Sequence, residues 1–272
     1  MSDRPRPVHE MFSRWLIGLI LVFSLIGFFG AFNAAQLTSE GTAERILNRA
    51  VATLVDIDAI LPALEQDLHT AAAESSSNEV QVPDYPVDIQ LSRQQALTLS
   101  GADLRQALLN ASADKAYEDG LSVLASADPE AQRNISLFSS EGVIDRGLRQ
   151  LTGGLHIFWL VAAVLLGLIS LLALVTFVRA TPSFSPAIVL GAVLLAAGLP
   201  SLAATLGLRF LIGSQGDSDP FVDNLIDVGR DALWVPMRNY IVICAFGAGI
   251  ILLTLAVNWA NREPPRRQPI AS

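Results

Sequence analysis

Long uncharged apolar runs alternate with amphipathic ones along this chain. No Asp, Glu, Lys or Arg occurs in 15–39, 150–178, 180–208 or 239–261. Each window exceeds the roughly 20 residues needed to cross a hydrocarbon core. A charge at the centre of such a run would cost about 2.5–3.5 kcal/mol on insertion scales, so clean windows of this length predict membrane spans. The predicted fold is an all-α integral membrane protein with four transmembrane helices, at 15–36, 156–178, 187–212 and 239–260. A tail (1–14), a large domain (37–155), a short turn (179–186), a second loop (213–238) and a second tail (261–272) separate and flank them. The first span is read as an uncleaved anchor. Its run Trp15–Phe32 is longer than a signal peptide's apolar core, and Phe32-Asn33-Ala34 puts a bulky residue where cleavage needs a small one.

The 37–155 segment carries helical periodicity. Leu47, Val51, Leu54, Leu61, Leu64 and Leu68 recur at helical spacing within 42–74, with a kink expected at Pro62. Val80–Val82 and Val87–Leu91, flanking Pro83-Asp84-Tyr85-Pro86, read as short extended segments. Ser92-Arg-Gln-Gln95 and Ser100-Gly-Ala-Asp103 both match the capping-box pattern. The second should open a helix with Leu104, Leu108 and Leu109 turned inward, and a further helix is expected over 114–125. The domain is therefore predicted to be small and mainly helical.

In the 213–238 loop, Phe221, Val222, Leu225 and Leu233 oppose Asp223, Asp227 and Asp231, which predicts an amphipathic helix lying at the membrane interface. The pattern Ile-Asp-x-Gly-x-x-x-Leu opens both 144–151 and, 82 positions later, 226–233, each time ahead of a span. In that register Ala163 and Gly167 match Ala245 and Gly249, and spans one and two would correspond to three and four as a parallel two-helix repeat. Small residues four apart (Ala187/Gly191, Ala197/Ser201, Ala203/Gly207, Ala245/Gly249) are expected to pack helices against one another.

Charge sets the expected orientation. With both termini cytoplasmic, that side holds Arg4, Arg6, Arg14, Arg179, Arg262, Arg266 and Arg267 against Asp3, Glu10 and Glu263, a net +4. The opposite side then holds 11 basic and 23 acidic residues, net −12, and the two account for the chain's −8. Short positive segments stay inside, so 37–155 is expected outside the cytoplasm. Trp15 and Trp259 would mark one interface, Trp159 and Trp234 the other. The single cysteine, Cys244, falls inside the fourth span, and Lys115 stands alone beside seventeen arginines. With no disulfide available to the external domain, these features point to a bacterial inner membrane.

No catalytic, cofactor-binding or metal motif emerges. His9, His69 and His156 are scattered singly, and no phosphate loop or nucleophile elbow occurs. Asp217, Asp219 and Asp223 begin like a calcium loop, but Val222 stands where that loop needs glycine and Val228 where it needs glutamate. The expected function is a non-enzymatic accessory or scaffold subunit, presenting an acidic helical domain for protein–protein interaction. The alternative is a transporter or channel component with a bundle lined by Ser24, Ser170, Ser201, Thr205 and Thr254. Expected partners are the lipid bilayer, a protein of the membrane or envelope, and further copies of the chain, with no nucleic acid and no cofactor. In layout the chain is similar to claudin-like proteins, but it lacks their paired external cysteines and Trp…Gly-Leu-Trp pattern. No family is assigned on that likeness.

Overall fold

The structure is a computed structural model, and it describes residues 8–55, 57–119, 151–181, 185–214 and 220–261. The elements in chain order are α1 (Val8–Leu37), α2 (Glu40–Val55), α3 (Ile57–Glu74), β1 (Glu79–Gln81), β2 (Gln90–Ser92), α4 (Arg93–Thr98) and α5 (Gly101–Asp119). Then come α6 (Gly153–Ala180), α7 (Pro186–Ser214) and α8 (Pro220–Ala260). Four of these helices carry stretches long and apolar enough to cross a bilayer: Trp15–Leu37, Gly153–Ala180, Pro186–Ser214 and Ile226–Ala260. The chain is a multi-pass membrane protein.

The spans are longer than their uncharged cores, because a helix does not stop where lipid stops. The amphipathic helix expected over 213–238 and the span expected at 239–260 are one helix, α8, continuous through Pro236. At 1.5 Å per residue its 41 residues extend about 60 Å, against about 30 Å of hydrocarbon. Its amphipathic first turns therefore run straight into the span instead of forming a separate helix in the interface.

Contacts divide the chain into two compact units. One comprises 1–31, 161–206 and 236–272. Its interior is thin, as expected where lipid solvates the outer surface. Leu21 packs with Ala173, Val189 and Val193, and Phe29 with Ala197 and Tyr240. Large apolar side chains such as Phe23, Leu172 and Phe246 face outward. The closest helix approach is backbone on backbone. A Cβ at Gly191 would lie 2.7 Å from the Gly247 carbonyl oxygen, and one at Gly247 would lie 3.0 Å from that of Gly191. The small-residue spacings divide accordingly. Ala197 is fully buried, but Ala203, Gly207, Ala245 and Gly249 are exposed. Gly167 meets the Phe28 ring, whereas its repeat-matched Gly249 has nothing within 4 Å.

The other unit comprises 32–160 and 207–235. Its core joins Leu47 and Val51 of α2, Ile57, Leu64 and Leu68 of α3, Val80, Val87 and Leu91 around the hairpin, and Leu104 and Leu108 of α5. Leu151, Ile212, Ile226 and Val228 complete it from later in the chain. In the part of α8 that belongs to this unit, Ile226, Val228 and Gly229 are buried; the side chains of Phe221, Val222 and Leu225 lie outside the described ones.

Local chemistry explains most element boundaries. The stretch expected as one helix over 42–74 is α2 as far as Val55 and α3 from Ile57, with Asp56 outside the described residues, and α3 runs unbroken through Pro62. The amide missing at Pro62 costs α3 the bond to the Asp58 carbonyl, in its first turn. The extended segments form an antiparallel hairpin with Glu79 opposite Ser92 and Val80 opposite Leu91. Asp84 takes a positive φ of 49° in its turn, a conformation Asp tolerates better than most residues. The capping box at Ser92 forms with both reciprocal bonds to Gln95. The one expected at Ser100 does not. There the Glu65 carboxylate accepts the Gly101 amide at 3.1 Å, and Gly101 sits at φ 53°, where a side chain would be strained. Finally, the two helices expected between 100 and 125 are one over its described length, α5, because nothing between Leu109 and Asp114 interrupts it. Residues 120–150, with the first copy of the Ile-Asp-x-Gly pattern and Leu121 and Leu124, lie outside the described residues.

Candidate functional site

Four of the domain's carboxylates line one seam. Helices α2 and α5 pack along their length through Leu47 and Val51 facing Leu104 and Leu108. Beside that apolar contact, Asn48 Nδ2 donates to Asn110 Oδ1 at 3.2 Å. One turn back on α2 stands Glu44, then Glu40; one turn on along α5 stands Asp114, then Glu118. The helices run in opposite directions, so the four-residue spacings coincide and carboxylates face carboxylates.

The electrostatics follow from this placement. Glu44 is held above the ordinary carboxylate range, first by withdrawal from water and then by repulsion from Asp114 and Glu40. Asp114 is raised in the same way, by burial and then by Glu118 and Glu40. Among the described residues no arginine or lysine pairs with any of these four carboxylates. Among the described residues no group of three His, Cys, Asp or Glu is placed to bind a metal. Elsewhere some of the domain's acids are paired. Asp58 accepts two bonds from Arg105, which hold its carboxyl below the ordinary range, and Lys115 pairs with Asp119. Asp231 pairs with Arg49 and Asp227 with Arg230, so the acidic stripe expected on α8 is partly neutralised.

The seam ends at Tyr117, whose hydroxyl donates to the Thr38 carbonyl at 3.0 Å. His156 Nδ1 lies 2.9 Å from the Ala35 carbonyl, and the Thr38 hydroxyl donates to the Ala34 carbonyl at 2.8 Å. The Tyr117 and His156 contacts engage carbonyls at the end of α1, a stabilising role for both side chains, while the Thr38 hydroxyl shares the Ala34 carbonyl with the Thr38 amide. Gly153 gives the Tyr117 ring its room, since a Cβ there would lie 3.3 Å from it. His69 Nε2 is 3.2 Å from the Leu99 carbonyl. The side chain of His9 is outside the described ones, as are Asp217 and Asp219 of the calcium-like run; Asp223 is exposed.

The span hydroxyls are engaged by their own helices. Ser201 donates to Ala197, Thr205 to Ser201 and Thr254 to Ile250, each one turn back. Ser24 and Ser170 donate to Leu21 and Leu166, and their hydroxyl oxygens meet at 3.0 Å between α1 and α6.

A second polar constellation, which the sequence reading did not assemble, lies where α7 ends and α8 begins. Arg209 Nη1 donates to the Arg230 carbonyl at 3.3 Å, and its guanidinium carbon lies 6.0 Å from the centre of the Trp234 ring. Arg230 reaches the Gly213 carbonyl and Asp227, each at 3.5 Å. A side chain at Gly213 would collide with that guanidinium. The four-residue spacing of Arg230 and Trp234 was the available signal. No protein-family model matches the chain, and neither a curated protein nor a solved structure matches it.

Proposed function

We propose that this protein is a non-enzymatic accessory or scaffold subunit of a bacterial inner-membrane complex. Both termini face the cytoplasm, and the domain built on α2–α5 is displayed outside it for protein–protein interaction. The observation that carries this reading is the α2–α5 seam. Four carboxylates in no ion pair among the described residues are placed side by side, at an electrostatic cost that a cationic surface on a partner protein would relieve. Topological support comes from the arginine-rich tails and turn set against the acidic domain. The hydroxyls that would line a pore donate to carbonyls of their own helices, which leaves the transport reading without a supporting observation.

Two experiments test the proposal. A reporter active only outside the cytoplasm, fused at exposed Ser76, should be active; activity of a cytoplasmic reporter there refutes the orientation. Affinity capture of the full chain from native membranes should return one stoichiometric partner, lost when exposed Glu40 and Glu118 are changed to lysine. Undiminished capture by E40K/E118K refutes the role of the seam. Deleting the domain is a poorer test, because Ile212, Ile226 and Val228 would lose the core they pack into.

A further inference from the structure

We propose that Arg209, seated on Trp234, binds the phosphodiester of a bilayer lipid headgroup. The argument begins with depth. Between Pro186, where α7 starts, and Leu208 the helix carries no charge, and those 23 residues extend about 34 Å against about 30 Å of hydrocarbon. Arg209 is the first charge beyond the run and lies five residues before the helix ends at Ser214. Its guanidinium is therefore at the level of the headgroups, where Trp234, half exposed, is also a favoured residue.

The second step concerns the guanidinium's partners. In a chain with 26 acids against 18 bases, a partly buried arginine would be expected to sit on a carboxylate. Arg230 does so, on Asp227. Among the described residues Arg209 does not: its contacts are the Arg230 carbonyl and the face of Trp234. One of its five N–H donors is used, and the ring and the carbonyl fix the plane in which the others are presented. Arg230 beside it is taken up by Asp227, so Arg209 is the guanidinium of this pair left to meet an anion. A planar donor fork in the headgroup layer matches the paired oxygens of a phosphodiester.

Native mass spectrometry of the full chain, released from micelles containing phosphatidylglycerol, tests this. Bound phosphatidylglycerol should be retained by the wild type and weakened roughly tenfold or more in R209Q, the loss expected for a charge-assisted bond. R209K should fall between the two, because the ammonium keeps the charge and loses the fork. W234A should weaken binding several-fold without any change of charge. R45Q, which removes one exposed arginine of the same unit, should bind like the wild type. Equal retention across wild type, R209Q and W234A overturns the proposal. So does an equal loss in R45Q, which would mean bulk charge. Displacement of the lipid by excess inorganic phosphate overturns the headgroup assignment in favour of a free-anion site.

Discussion

Replacing Gly191 by alanine tests whether α7 and α8 are held by direct backbone contact. The added Cβ would lie 2.6 Å from Ile251 Cγ1 and 2.7 Å from the Gly247 carbonyl oxygen. The isoleucine can rotate away. The carbonyl cannot, since it belongs to the ladder of α8, so relief requires the helices to separate by about 0.7 Å to regain an ordinary contact of 3.4 Å. Overpacking of this kind costs about 1–3 kcal/mol, while exchanging a helical glycine for alanine returns at most about 1 kcal/mol. A net loss of roughly 1–2 kcal/mol is expected. The control is Gly249→Ala on α8, where nothing lies within 4 Å and only the propensity gain remains. Unfolding of the full chain by SDS in mixed micelles, followed by far-UV circular dichroism, should show G191A less stable than wild type and G249A unchanged or more stable. If G249A loses as much as G191A, or G191A loses nothing, the helices do not meet at Gly191 and Gly247.

Three further outcomes are expected. Leu108→Ala removes a fully buried side chain from the domain core and should cost about 2–5 kcal/mol in thermal unfolding of the full chain; a loss below 1 kcal/mol would show that the core closes over the gap. Ser170→Ala removes the hydroxyl contact between α1 and α6 and should cost only about 0.6 kcal/mol, measured by the same SDS titration; a loss of several kcal/mol would point to a larger polar network. Glu44 and Asp114 bind protons more tightly folded than unfolded, so their contribution to stability grows as pH falls from neutral through their raised range and is complete below the unfolded values. E44Q/D114N should therefore be more stable than wild type near neutral pH, with the advantage shrinking in mild acid. An advantage that instead grows with acidity contradicts the repulsive seam. Asp58, held low by Arg105, acts oppositely and loses its contribution in stronger acid in both proteins.

The spans were legible because lipid imposes one rule on every position: a missing charge over a long run can be counted directly. The capped start of α4 was legible for a similar reason, as Ser92 and Gln95 lie within a single turn and complete each other. Where a distant residue decides the outcome, reading along the chain failed. Ser100 resembles Ser92 in its local pattern, yet Glu65, 36 residues upstream, takes the Gly101 amide. The small-residue spacings named the right face of α7, where Gly191 lies, but not that of α8: Ala245/Gly249 is exposed, and buried Gly247 between them meets Gly191. The acidic seam was invisible because Glu44 and Asp114 are 70 positions apart, and no spacing rule links them before α2 and α5 are known to pack in opposite directions. Arg209 is the first charge past the uncharged window 180–208, but its tryptophan and carbonyl lie on the next helix.

The late arrival of Ile212, Ile226 and Val228 in the domain core has a consequence for biosynthesis. The ribosome completes α5 at Asp119, but Val228 is 109 positions further on. At about 5–20 residues per second that is a wait of roughly 5–20 s. Throughout it the leucines of α2, α3 and α5 have an unfinished floor beneath them, and a chaperone or the insertion machinery has something to hold.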